Sequence, residues 1–268
     1  MTYWQAVVLG LVEGLTEYLP VSSTGHLLVA QRLLGIDGGE AANAYAIAIQ
    51  GGAIAAVMVL YRRRLMQMAS GLLGRDEAGR RLAYALVLAF LPAAIVGLAF
   101  EDAIEQRLFG PLPIAFAWAV GGVGILLVSS RMRRDGTLLE ALTWRGALLI
   151  GVCQCAALWP GVSRSLATIV GGLAAGLSLV AAVEFSFLLG LITLGAATAY
   201  KALDSGAVML EAYGPLTVLI GFVAAWVSAM VSVRWMVTWL QSRGLAVFGW
   251  WRLAAAVVVV VLVARGVL

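Results

Sequence analysis

The sequence is poor in the side chains that soluble enzymes use for chemistry. It contains one histidine and two cysteines, and only 12% of its 268 residues are charged. Soluble domains carry about 25% charged residues. The hydrophobic fraction of 62% therefore indicates an integral membrane protein. Cys153 and Cys155 lie two residues apart and cannot face each other on a helix. With so few cysteine and histidine ligands, a zinc site is not expected.

Six apolar stretches are long enough to span, or nearly span, a hydrocarbon core of about 30 Å. They cover residues 43–60, 82–100, 113–130, 182–200, 214–233 and 250–264. Backbone groups in lipid must be hydrogen-bonded within the protein, so these stretches are predicted to be helices. The sequence thus predicts an all-α polytopic membrane protein whose residues 1–268 form a single membrane domain.

The small positive net charge of +4 comes almost entirely from arginine in short connections, since Lys201 is the only lysine. We interpret this excess as a topology signal rather than a nucleic-acid site. Residues 1–31 contain no lysine or arginine, so they do not resemble a signal peptide and are expected to stay in the mature protein. Three basic clusters are predicted to be cytoplasmic, which places the amino terminus in the periplasm: Arg62, Arg63, Arg64, Arg75, Arg80 and Arg81; Arg131, Arg133, Arg134 and Arg145; and Arg234, Arg243 and Arg252.

Two further apolar segments, 4–33 and 146–180, are each interrupted by a polar cluster with proline. Each must begin and end on the same side of the membrane for the loop charges to alternate, which predicts two re-entrant helical hairpins. The segments also align with each other: Gly10 with Gly151, Pro20 with Pro160 and Ser23 with Ser163. Such paired broken segments predict an inverted-topology repeat, with repeat 1 over about 1–133 and repeat 2 over about 144–268. The two hairpin tips should then meet inside the membrane.

The first tip, "EGLTEYLPVSSTGHL", begins with two carboxylates, Glu13 and Glu17, at helical i, i+4 spacing. Three interpretations compete: a divalent-cation site, a proton relay, and a structural pair bonded to hydroxyl groups. Two adjacent like charges favour a cation, and carboxylate oxygens suit Mg²⁺ or Ca²⁺.

Hydroxyl residues and the single histidine follow Pro20 in the same tip: Ser22, Ser23, Thr24 and His26. The hydroxyls could serve simply as helix N-caps, and a lone histidine is often a satisfied core residue. The functional interpretation is that Ser22 and Thr24 bind phosphate, and that Ser23 and His26, by their spacing, form a nucleophile and its base. The sequence leaves open which of these two attacks phosphorus; we expect Ser23 to attack with His26 as the base.

The second tip, "PGVSRSLAT", has the character of an anion site. Ser163, Ser165 and Thr168 offer hydroxyls at the start of a new helix, and Arg164 offers a fork of donors that matches phosphate oxygens. The alternative to anion binding is that Arg164 forms a salt bridge to Glu13 or Glu17 when no substrate is bound. Together the tips suit phosphoryl transfer to water on a substrate with a lipid tail, or transport of an anionic lipid.

The two tips, together with "EFSFLL" at 184–189, resemble the undecaprenyl-diphosphate phosphatases of the bacterial bacitracin-resistance family over almost the whole chain. The resemblance implies release of the terminal phosphate from a C55 isoprenyl diphosphate, which recycles the lipid carrier of cell-wall synthesis. It also implies a divalent cation, a site open to the periplasm, and six spans with two re-entrant hairpins. The expected location is the bacterial inner membrane, with a homodimer as one possible assembly.

By this resemblance, Glu13 and Glu17 match a paired glutamate motif associated with metal and catalysis, and Ser163, Arg164 and Thr168 match a phosphate-binding motif. Members of this family usually carry proline shortly after "EFSFLL", where this chain has Ile192 or Thr193. We expect a changed kink there. The type-2 phosphatidic acid phosphatases require two histidines and are excluded by the single one; a flippase or transporter of an anionic isoprenyl lipid stays the alternative.

Overall fold

The computed structural model describes residues 1–36, 38–129 and 136–268, which form helices joined by short connections. Arg131, Arg133 and Arg134 of the second basic cluster lie outside these residues. Within the described ranges, the chain forms eleven α-helices: α1 (Tyr3–Thr16), α2 (Ser23–Leu33), α3 (Glu40–Leu60), α4 (Arg62–Leu72), α5 (Glu77–Leu108), α6 (Pro111–Ser129), α7 (Trp144–Cys155), α8 (Arg164–Ala174), α9 (Leu179–Tyr213), α10 (Pro215–Ser242) and α11 (Ala246–Ala264). Short 3₁₀ turns cover Leu139–Ala141 and Ala156–Leu158.

Six of the helices in the described ranges are long and apolar enough to cross a membrane, and each contains one predicted span. They are α3, α5, α6, α9, α10 and α11, which confirms the predicted all-α polytopic fold; only residue 214, which precedes α10, and residue 130, which lies outside the described residues, fall beyond the helices.

Two of these helices continue beyond their predicted spans. Residues 101–108 extend α5 beyond a break at Phe100, where φ is −125° and ψ is 16°. Residues 201–213 extend α9 to 35 residues. At 1.5 Å per residue this helix is about 50 Å long. It therefore exceeds a hydrocarbon core of about 30 Å and must project beyond it.

The two interrupted segments form pairs of short helices. Helix α1 packs against α2, and α7 against α8, and none of the four exceeds 14 residues. Helices of that length rise about 21 Å at most, too short for a full crossing. The re-entrant path and the inverted repeat stay predictions that this arrangement accommodates.

Aligned glycines let each hairpin approach a long helix of the other half closely. A Cβ atom on Gly10 would lie 2.4 Å from the carbonyl oxygen of Gly221 on α10, and one on Gly151 would lie 2.5 Å from that of Ala89 on α5. The hydroxyl of Ser232 on α10 also donates to the carbonyl of Gly14, at 2.8 Å. The first hairpin thus packs on the second half of the chain, and the second hairpin packs on the first half. This packing brings the two tips next to each other.

Outside the hairpins, Arg64 of α4 links the two halves. Its Nε donates to Glu184 at 2.7 Å and its Nη2 to Glu140 at 2.9 Å. Glu184 is the first residue of the "EFSFLL" motif, so this pairing fixes the amino-terminal part of α9.

Candidate active site

Both tips turn sharply at a serine that precedes a helix. Ser22 has φ 72° and Ser163 has φ 76°, a region that residues other than glycine rarely adopt. The sequence alignment paired Ser23 with Ser163, whereas the backbone makes Ser22 the counterpart of Ser163, one residue earlier. Such strain persists where surrounding structure enforces it and clusters at functional sites. The hydroxyl of Ser163 caps α8 by accepting from the N–H of Leu166 at 3.3 Å, while that of Ser22 makes no capping bond.

The two tips meet, as predicted. The hydroxyl of Ser165 donates to the carbonyl of Leu19 at 2.9 Å, and Nη2 of Arg164 lies 3.4 Å from Oε1 of Glu17. The guanidinium of Arg164 also lies over the ring of Tyr18, with 5.4 Å to the centroid. The salt bridge between tips that was considered as an alternative is therefore present.

Glu17 is the centre of the polar contacts on the first tip. The hydroxyl of Ser23 donates to Oε2 of Glu17 in a short hydrogen bond. The side-chain amide of Gln50, from α3, donates to the same oxygen at 3.4 Å. Sequence analysis missed Gln50, although an amide within an apolar span is itself a signal for a polar site.

Glu13 is fully buried, and neither of its carboxylate oxygens has a hydrogen-bond partner among the described residues. An unpaired buried carboxylate is costly, so this arrangement fits a cation held by Glu13 and Glu17. In the described part of the chain, His, Cys, Asp and Glu form no cluster of three or more that could hold a metal ion. A cation here would need further oxygens from water or from the phosphates of a substrate.

His26 forms no side-chain hydrogen bond to Ser23 in the described part of the chain. Its Nδ1 lies 2.7 Å from the carbonyl of Ser22, and its Nε2 accepts from the indole N–H of Trp251 at 3.0 Å. The ring also packs on Trp118 with centroids 4.6 Å apart. Both nitrogens are thus engaged away from Ser23, and the proton of Ser23 is directed at Glu17 instead.

Arg164 of the second tip lies beside Glu17 of the first tip. Nη1 of Arg164 donates to the carbonyl of Ser186 at 2.8 Å, whereas its Nε has no partner among the described residues. Thr168, predicted to bind phosphate, lies fully buried and bonds to the hydroxyl of Ser186 at 2.7 Å. Thr168 therefore supports the segment of α9 that holds Arg164.

A cavity of about 170 Å³ lies between the tips. Its polar wall combines both tips with three residues from neighbouring helices: Glu17, Ser22, Ser23, Thr24, Ser163, Arg164, Gln50, Gln154 and Thr193. Members of the resembled family usually carry proline at Ile192 or Thr193. In this chain α9 continues through both residues, so it has no kink from proline there. Four residues predicted for the site do not line this cavity: Glu13, His26, Ser165 and Thr168.

Arg252 is the main residue that sequence analysis misplaced. It was assigned to a cytoplasmic basic cluster, but it is fully buried. Its guanidinium donates to the carbonyls of Gly161 at 2.8 Å, Val162 at 3.1 Å and Pro20 at 3.3 Å, and so joins both tips. It also donates to two carbonyls of α6. Backbone acceptors carry no sequence signature, so only the structure could reveal this role.

The fold and the cavity define a polytopic α-helical membrane protein with a buried polar site shared by two helical hairpins. A family profile described as "Bacitracin resistance protein BacA" matches residues 6–258, and the chain belongs to this family. The chain is also similar to a protein named undecaprenyl-diphosphatase from Sorangium cellulosum, 47% identical over 97% of this chain and 86% of that one. Proteins of the same kind from Ectopseudomonas mendocina and Rhodospirillum rubrum are 45% and 44% identical, over 96% and 95% of this chain and 92% and 93% of theirs.

Proposed function

We propose that this protein hydrolyses undecaprenyl diphosphate to undecaprenyl phosphate and inorganic phosphate. This reaction would recycle the lipid carrier for cell-wall synthesis and confer resistance to bacitracin. The observation that carries the proposal is the convergence of Ser23, Glu17 and Arg164 from two hairpins on one cavity. The names of the similar proteins agree with this chemistry.

The size of the cavity suits a small polar group rather than a whole lipid. Sites for drug-sized ligands occupy about 300–1,000 Å³, and this cavity, at about 170 Å³, is smaller. It suits a phosphate headgroup, while the isoprenyl tail stays in the surrounding bilayer.

In the proposed mechanism, Arg164 and the free N–H groups at the start of α8 bind the terminal phosphate. The hydroxyl of Ser23 attacks the terminal phosphorus and its proton passes to the carboxylate of Glu17. The bond between phosphorus and the bridging oxygen breaks, and undecaprenyl phosphate leaves. Water then attacks the phosphorus of the phosphoserine, and the bond from phosphorus to the serine oxygen breaks. That oxygen takes back the proton from Glu17, so inorganic phosphate is released and both side chains are restored. Glu17 thereby takes the role of base that the sequence suggested for His26.

The residues present fit a divalent cation, which we propose as the cofactor. Glu13 and Glu17 would hold it, and when bound it would neutralise charge on the phosphate oxygens. His26 would serve to fix the carbonyl of Ser22 and so the strained turn before Ser23.

We further propose that the protein lies in the bacterial inner membrane with the cavity open to the periplasm. Two exposed arginines support a cytoplasmic position for the connection between α10 and α11: Arg234 near the end of α10 and Arg243 in the connection itself. A homodimer stays a prediction.

The test is to incubate the purified protein in detergent with undecaprenyl diphosphate and Mg²⁺ or Ca²⁺ and measure released phosphate. We expect one phosphate per lipid, and we expect EDTA to stop the release. Absence of release with either cation, together with movement of labelled lipid across liposomes, would instead establish the transporter.

A further inference from the structure

Gln154 of α7 is a buried amide in the wall of the cavity between the tips. It is 1% exposed and lines the cavity with Ser23 and Arg164. Its Oε1 accepts from the hydroxyl of Thr193 at 3.3 Å, whereas its Nε2 has no hydrogen-bond partner among the described residues. Buried amide N–H groups are nearly always paired, so this donor needs an acceptor that enters the cavity.

Thr193 of α9 contacts the oxygen end of this amide. Its hydroxyl lies within reach of two acceptors, the carbonyl of Leu189 at 3.0 Å and Oε1 of Gln154 at 3.3 Å. Contact with Oε1 leaves both hydrogens of Nε2 directed away from Thr193. The contact therefore depends on the hydroxyl group of Thr193.

The aligned positions of the two hairpins give Gln154 a counterpart. Glu13 lies three residues after Gly10, and Gln154 lies three residues after Gly151. Both side chains are buried, and both have polar atoms without partners among the described residues. The first hairpin thus offers unpaired acceptors and the second an unpaired donor. A diphosphate with its cation requires both.

We propose that Gln154 is a substrate-binding residue whose Nε2 donates to a non-bridging oxygen of the diphosphate, and that Thr193 is the residue that positions its amide. This inference rests on the proposed hydrolysis of an isoprenyl diphosphate. The contact lies on the second hairpin, beside Arg164, and no bond to it needs to change during the reaction. It should therefore stabilise the bound substrate and the transition state alike, and act on KM more than on kcat.

The test compares Gln154→Met, which keeps the length of the side chain and removes the donor, with Gln31→Met as control. Gln31 is also a buried glutamine, 9% exposed, but it donates to the carbonyl of Ala42 outside the cavity. Since a hydrogen bond to a charged group is lost, we expect Gln154→Met to raise KM for undecaprenyl diphosphate about 10- to 100-fold, with kcat within about threefold. Gln154→Glu should raise KM further, because a carboxylate would face the phosphate.

Variants of Thr193 test the positioning role. Thr193→Val should raise KM less than Gln154→Met, Thr193→Ser should restore it, and the double variant should be no worse than Gln154→Met alone. A structural role would not give this pattern. Unchanged KM in both Gln154→Met and Thr193→Val would overturn the proposal, as would a lowered Tm with KM unchanged.

A binding titration separates this inference from the proposed function. A C15 isoprenyl diphosphate is titrated with Ca²⁺ into the Ser23→Ala variant, with and without Gln154→Met. We expect Kd to rise about 10-fold or more with the second substitution. If wild type hydrolyses no diphosphate, the proposed function fails, while an equal Kd in the two variants would overturn the role of Gln154 in either case.

Discussion

Replacing Arg252 with methionine should loosen the two tips from each other. The guanidinium donates to the carbonyls of Pro20, Gly161 and Val162, and these carbonyls have no other donor among the described residues. Leaving a buried acceptor unpaired costs about 1–3 kcal/mol, so three of them cost about 3–9 kcal/mol. Removing a buried charge offsets part of this cost, which favours the lower end of the range.

A loss of about 3 kcal/mol should lower the Tm of the protein in detergent by about 6–12 °C. Displacement of catalytic groups by about 1 Å can cost about 100-fold in rate. We therefore expect Arg252→Met to reduce kcat/KM by about that factor. Arg252→Lys should have a kcat/KM between those of wild type and Arg252→Met, because an ammonium group cannot reach all the carbonyls.

The control is Arg234→Met, which removes an exposed arginine of α10 that does not contact the tips. The assays are thermal unfolding and phosphate release on the same preparations. If Arg252→Met kept the Tm and kcat/KM of Arg234→Met, the account of Arg252 as the link between the tips would be refuted.

Three further predictions concern the cation, the anion site and the topology. Mg²⁺ or Ca²⁺ should raise the Tm of wild type, and Glu13→Gln should abolish that rise; an equal rise in both would exclude Glu13 as a ligand. Arg164→Lys should lower kcat/KM about 100-fold, because a point charge cannot replace the fork of donors; near-normal turnover would remove Arg164 from the site. A cysteine added at the amino terminus, with Cys153 and Cys155 replaced by alanine, should be labelled from the periplasmic side; labelling only from the cytoplasm would contradict the topology.

The six spans could be predicted because length and hydropathy alone define a membrane helix. Their ends could not be predicted equally well. The predicted span ends at residue 200, yet α9 continues to Tyr213 as a projecting helix. Hydropathy reports the burial of a segment in lipid, whereas a helix can continue into water.

The site was predictable where its residues are unusual for a membrane segment, as with Glu17 and Arg164. Contacts between side chains on either side of the turn at Ser22 were not predictable. Spacing along the chain favoured a Ser23–His26 pair, but the strained turn at Ser22 directs the hydroxyl of Ser23 to Glu17. Arg252 was missed for a different reason: its acceptors are backbone carbonyls, which any sequence provides.

The central claim is that one site is built from two tips, and phosphate release by one variant from each tip tests it most directly. Ser23→Ala and Arg164→Lys are each compared with wild type on undecaprenyl diphosphate, with Tm measured to confirm folding. The account predicts that both folded variants lose about 100-fold or more in kcat/KM. Near-wild-type hydrolysis by either folded variant would contradict a site shared by the two hairpins.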